Sequence, residues 1–169
     1  MPAFDSNAIR KQPRIWSLFR DGPVLLFHRQ ERLDSVCSEL HQAGYRIVDA
    51  TWEVADRGDQ FLGRLLQSLG IVRTVQPTNR DAFNDLLYDL DASPAEGIVI
   101  VLRGFHHLQQ ADSEFALDVV DILAQHHRIS LLTGTRLLIL IETCGSSDEP
   151  WQRPVGGSIP LWLDEPPSS

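Results

Sequence analysis

Gly97-Ile98-Val99-Ile100-Val101-Leu102-Arg103 is a run too continuously apolar for a strand with one face in water, and its reading decides the fold. Three further apolar runs, Val24 to His28, Tyr45 to Thr51 and Leu137 to Ile141, are bounded by turn residues in the same way. The stretches between them carry helical periodicity. Buried strands separated by helices require parallel pairing through crossover connections, with helices on both faces of the sheet. The predicted class is therefore α/β, a small, mainly parallel sheet flanked by helices.

Four helices are expected. Residues 31 to 42 place Leu33, Val36, Cys37 and Leu40 at i, i+3, i+4, i+7 and stop at Gly44. Residues 59 to 69 open at Asp59, turn Phe61, Leu62, Leu65, Leu66 and Leu69 to one side, and end at Gly70. A third begins at Thr78 or Asn79 and runs to about Leu90. The fourth, 113 to 127, has Ser113 as its cap and Glu114 in its first turn, with Phe115, Val119, Ile122 and Leu123 aligned and His126 at the end of the stripe.

The 169 residues, 43% hydrophobic and 22% charged, suit one globular domain. The expected organisation is a loose arm or short edge segment over 1–20, an α/β domain over 21–143, and a proline-rich tail over 144–169. That tail holds five of the ten prolines, which exclude a helix or central strand, and its Trp151, Leu161 and Trp162 need cover, so it is expected along the domain surface. Arg or Glu interrupts every apolar run before the roughly 18 residues that span a bilayer. The first twenty residues lack the apolar core of a secretory signal, and the expected compartment is the cytoplasm. Cys37 and Cys144 read as free thiols.

Fifteen basic residues face 23 acidic ones, a net charge of −8, and from residue 21 onward the ratio is 11 to 22. Such a body repels nucleic acid and anionic lipid and attracts a basic partner. The third helix concentrates this charge. Asp81, Asp85 and Asp89 recur every fourth residue and span an arc of roughly 80°, with Phe83, Leu86, Leu87 and Leu90 opposite. Tyr88 shares the acidic side and Asn84 flanks it. The like-charge pairs each cost a few tenths of a kcal/mol in a free helix, a repulsion that a docked cationic partner relieves. A solvated helix face is the plain alternative.

Enzyme chemistry finds little support. A carboxylate pair working as acid and base needs a desolvated cleft, which an exposed helix face does not supply. The adjacent pairs His106-His107 and His126-His127 point to different sides of any helix or strand, and no third ligand is spaced to complete a metal site. There is no phosphate-cradling Gly-x-x-x-x-Gly-Lys, no Gly-x-Gly-x-x-Gly and no Gly-x-Ser-x-Gly elbow, and Leu131 to Thr135 reads as a turn into a strand. No cofactor and no metal are expected.

The stretch Asn79-Arg80-Asp81-Ala82-Phe83-Asn84-Asp85-Leu86-Leu87-Tyr88-Asp89-Leu90 resembles the recognition helix of the barstar-like proteins, small cytoplasmic inhibitors of secreted bacterial ribonucleases of the barnase type. Gly97 to Phe105 is similar to the family's central strand with its trailing Arg, Leu137 to Ile141 to the strand after the next helix, and Tyr45 to Gly70 to the opening strand and helix. Order and spacing hold over about 45–143, so the resemblance implies three barstar-like strands with an added N-terminal one. It also implies that Asp81 and Asp85, with Asn79, enter a ribonuclease active site, where a carboxylate takes the place of a substrate phosphate and no chemistry is done.

This chain departs from the family pattern in three places. Val75-Gln76-Pro77 stands where an aromatic-Gly turn is common, Asn84 where a Trp often sits, and Gln125 near an expected acidic residue. Two functions follow: a ribonuclease inhibitor, antitoxin or immunity protein of bacterial type whose partner-binding residues are Asn79, Asp81, Asn84, Asp85, Tyr88 and Asp89, or a non-catalytic interaction or regulatory module with the same fold and a different partner.

Overall fold

The computed structural model describes residues 10–53, 57–71, 79–144 and 150–165. In chain order the elements are α1 (Pro13–Arg20), β1 (Val24–Phe27), α2 (Gln30–Gln42), β2 (Arg46–Thr51), α3 (Gly58–Ser68), α4 (Arg80–Leu87), β3 (Ile98–Arg103), α5 (Phe105–Ala111), α6 (Ser113–Thr133), β4 (Leu137–Glu142) and β5 (Leu161–Trp162). The five strands form one parallel sheet in the order β2-β3-β4-β1-β5.

The alternation of strand side chains divides the core in two. Val24, Leu26, Ile98, Ile100, Leu102, Leu137, Ile139 and Ile141 face α3, α4, α5 and α6, where Phe61, Leu65, Phe83, Leu87, Leu108, Val119 and Leu123 are buried. Leu25, Phe27, Val99, Val101, Leu138 and Leu140 face α1 and α2, with Ile15, Phe19, Leu33, Val36 and Leu40. Each Leu, Ile or Phe so enclosed stabilises the fold by about 1.5–3 kcal/mol. Arg103 ties β3 to its neighbours: its Nε donates to Asp49 of β2 at 2.6 Å and its Nη2 to Asp34 of α2 at 2.8 Å. The hydrogen bonds to Asp49, ahead of those to Asp34, hold the guanidinium above its ordinary pKa despite partial burial.

Several expectations need correction. Residues 13–20 of the expected loose arm form helix α1, with Pro13 in its first turn and Ile15, Leu18 and Phe19 buried. Pro at that position costs no hydrogen bond, and the i, i+3, i+4 spacing supplies the apolar face. The fourth helix is capped by Asp112, not Ser113: the Asp112 carboxylate accepts Phe115 N–H at 2.9 Å. It also continues to Thr133, so Leu131 to Thr133 are its last turn, closed by Gly134 at φ 91°. The third helix ends at Leu87. Tyr88, Asp89 and Leu90 bond back three residues, to Asp85, Leu86 and Leu87 carbonyls, which tightens the chain and moves Asp89 off the helix into the following turn.

The tail supplies the fifth strand. Trp151 and Val155 are buried in the α6 side of the core, and Leu161 and Trp162 pair with Leu25 and Leu26. Gly156, at φ 55°, passes so close to α6 that a Cβ there would lie 2.4 Å from that of Ala124, and its N–H donates to Asp121 at 2.6 Å.

Candidate partner-binding face

Helix α4 begins where the Asn79 side chain accepts Ala82 N–H at 2.9 Å, and Asp81 in the first turn complements the helix dipole. Phe83 and Leu87 anchor it in the core. Three contacts then clamp it to α6. Arg80 pairs with Asp118 near its start, the Asn84 amide oxygen meets His126 Nε2 at 3.0 Å in its middle, and the Tyr88 ring stands edge-on to the His126 ring at 4.7 Å and 72° at its end.

His126 is 2% exposed, and burial holds its pKa below the ordinary histidine value. The ring is thus neutral near pH 7, and its nitrogen facing the amide oxygen is the donor. Asp81 and Asp85 project from the opposite side of α4 and are exposed. Among the described residues neither has an ion-pair or hydrogen-bond partner. A rigidly mounted helix thereby presents two carboxylates ready for cationic groups, with the 62%-exposed Tyr88 beside them and Asp89 just past the helix end.

The six expected partner-binding residues therefore separate. Asp81, Asp85, Asp89 and Tyr88 are exposed, and they remain candidates. Asn84 is half-buried and turned to His126, and the Asn79 side chain is engaged as a cap, so these two position the helix. Sequence periodicity missed Asp118 and His126 as supports of the face; the only signal was His126 falling at the end of an apolar stripe. Gln125 is exposed and bonds Asp121 one turn back at 2.6 Å. Val75, Gln76 and Pro77 lie outside the described residues.

The two cysteines and the histidine pairs are engaged within the fold. Cys144 Sγ lies 3.1 Å from His106 Nδ1, but burial lowers the imidazole pKa and raises that of the thiol, which favours two neutral partners over a thiolate–imidazolium pair. Cys37 is buried, with its thiol pushed up to about 11. His127 is buried against Phe19, and its Nδ1 bonds the Leu137 carbonyl. Among the described residues no three His, Cys, Asp or Glu side chains group to hold a metal, and no helix is long and apolar enough to cross a membrane.

Fold and face together define a parallel α/β domain that displays a clamped acidic helix. The family model for barstar, the barnase inhibitor, matches residues 46–142, more than half of the chain. The protein belongs to the barstar family, and the matched segment runs from β2 to the end of β4. Helices α1 and α2, strand β1 and the tail lie outside it.

No curated protein sequence matches the chain. Among solved structures, chains of the Drosophila origin recognition complex share the fold. One, bound to GC-rich DNA and Cdc6, superposes with a TM-score of 0.62 at 13% identity, over 94% of this chain and 55% of that one. Another, bound to DNA, gives 0.56 at 17% over 95% and 93%, and a third, with AT-rich DNA and Cdc6, 0.57 at 17% over 94% and 54%. The chain thus spans about half the length of two of these structural relatives.

Proposed function

We propose that this protein is a barstar-type inhibitor, an antitoxin or immunity protein acting in the cytoplasm, that blocks a small basic ribonuclease without catalysing any reaction. The observation that carries this reading is the pair of unpartnered carboxylates, Asp81 and Asp85, on a helix fixed to the body at three points, in the stretch of a barstar-family chain whose sequence resembles the family's recognition helix. Preorganisation matters because a side chain already held in its bound geometry loses little entropy on docking. A net charge of −8 steers a basic enzyme toward it. The test is titration into a barnase-type ribonuclease beside an Asp81→Ala/Asp85→Ala control. Stoichiometric inhibition that the control lacks supports the reading, and equal inhibition by both overturns the role of α4.

A second reading has its own support. The likeness to the origin recognition chains covers 94–95% of this protein, so α1, β1, α2 and β5, which lie outside the barstar match, belong to a wider shared architecture. In that reading the acidic helix serves an interaction module with another cationic protein partner, and barnase-type enzymes are not inhibited.

A further inference from the structure

Strand β2 forms one outer edge of the sheet, and its register shows which of its backbone groups are already paired. Arg46 N–H donates to the Gly97 carbonyl at 3.0 Å. Arg46, Val48 and Ala50 therefore bond β3, while the N–H and C=O groups of Ile47, Asp49 and Thr51 turn outward. Arg64 of α3 donates to the Thr51 carbonyl at 3.4 Å and closes the carboxyl end of that edge. Among the described residues nothing bonds the outward backbone groups of Ile47 and Asp49.

The usual guards of a strand edge are missing here. The strand has no Pro and no Lys, and its ladder to β3 runs over six residues without a bulge. Its two charged side chains are engaged within the domain, Arg46 with the Leu69 carbonyl at 3.0 Å and Asp49 with Arg103 at 2.6 Å.

Beside this edge lies a cavity of about 540 Å³, lined by Cys37, Ser38 and His41 of α2 with Tyr45, Ile47 and Ala95. Ile47 packs toward the α2 side of the sheet, and Asp49, two residues along, falls on the same face. There Asp49 and Asp34 share the single guanidinium of Arg103, and each is 48% exposed, so the group keeps one net negative charge. A second copy of this chain suits such an edge poorly. Antiparallel pairing about a twofold axis at Ile47 or Asp49 sets two of these acidic groups side by side, between chains that each carry a net charge of −8.

We propose that the outer edge of β2 is a docking site for an extended segment of a second protein. That segment adds a strand through Ile47 and Asp49, places an apolar side chain in the cavity beside Ile47, and sets a Lys or Arg two residues away beside Asp49 and Asp34. Two residues make a sufficient ladder in this fold, since β5 pairs with β1 through Leu161 and Trp162 alone. The surface is separate from α4 and does not depend on the role of Asp81 and Asp85.

The probe is the end-blocked peptide Thr-Lys-Thr-Val-Thr-Lys-Thr, whose central Val has a Lys two residues to either side and so fits in either chain direction. Its control carries Glu in place of each Lys. Each peptide is titrated into the full chain while backbone amide resonances are followed. The expected result is saturable shifts of the Ile47 and Asp49 amides, with the Glu peptide weaker by about fivefold or more. Binding should be lost in Ile47→Pro, which removes an outward N–H and no bond to β3. Should that variant fail to fold, Ser38→Trp, which fills the cavity from the exposed side of α2, takes its place with the same expectation. Unshifted Ile47 and Asp49 amides with the Lys peptide overturn the proposal, as do equal binding of the two peptides and undiminished binding by the variant. A native chain that sediments as a dimer and is dissociated by the same variant overturns it in favour of pairing between copies.

Discussion

Helices α1 and α4 are each eight residues long and each turns apolar side chains into the core, but they use their charges in opposite ways. On α1, Arg14 pairs with Glu39 of α2 at 3.1 Å and Arg20 with Asp21 at 2.7 Å. On α4, Arg80 is tied to Asp118, while Asp81 and Asp85 point away from every described partner. A helix that only covers a sheet has its charges answered locally. One that leaves two like charges unanswered one turn apart retains a small repulsion that folding alone does not relieve. The comparison separates a helix whose charges are met within the domain from the one proposed as the recognition surface.

Altering the acidic face should produce the largest effect. Asp81→Ala/Asp85→Ala should reduce partner binding at least 100-fold, since central interface charges are each worth about 2 kcal/mol or more. Its thermal midpoint should stay within a few degrees of the native value, measured by calorimetry on the same samples, because exposed surface changes alter stability by about 0.5 kcal/mol. A matching loss of stability would make Asp81 and Asp85 structural and erase the contrast with α1.

Core anchors should behave alike on the two helices. Phe19→Ala under α1 and Phe83→Ala under α4 should each destabilise by about 3–5 kcal/mol in urea unfolding. Only Phe83→Ala should also weaken binding per folded molecule, because it loosens the acidic helix. Equal binding losses would show that the α1 face participates in recognition.

The pH dependence sharpens the role of α6. Burial holds His126 and His127 below the ordinary value of 6.5 in the folded chain, so the unfolded chain takes up their protons first as pH falls. Their contribution to stability is complete above about pH 6.5 and declines below it, by at most about 1.4 kcal/mol per pH unit for each ring. Urea midpoints at pH 7.5 and 5.5 should differ in that direction, and the difference should shrink in His126→Gln. A slope unchanged by that substitution would remove His126 from the account.

The architecture was readable where the signal was local and repeated. Val24 to Phe27, Ile98 to Arg103 and Leu137 to Glu142 are strands because continuous apolar runs admit no other buried arrangement between helices. Strand β5 was not readable, since its two residues hold their place by pairing with Leu25 and Leu26 near the other end of the chain. Helix α1 carried its signal in Pro13 and the Ile15, Leu18, Phe19 spacing, behind a basic composition that read as an arm. At the site, the four-residue recurrence exposed Asp81 and Asp85. It could not show that Asn84 faces His126, because that contact joins residues 42 apart, nor that α4 stops before Asp89.

Arg14→Ala on α1 is the smallest expected perturbation, at most about 1 kcal/mol in stability and none in binding. Set beside the acidic pair it gives the most direct measurement: calorimetric titration of a barnase-type ribonuclease with the native chain, with Arg14→Ala/Arg20→Ala and with Asp81→Ala/Asp85→Ala. The account predicts one-to-one binding by the first two and its loss in the third while all three remain folded. Retained binding by the Asp81→Ala/Asp85→Ala chain, or loss through the α1 substitutions, would contradict it.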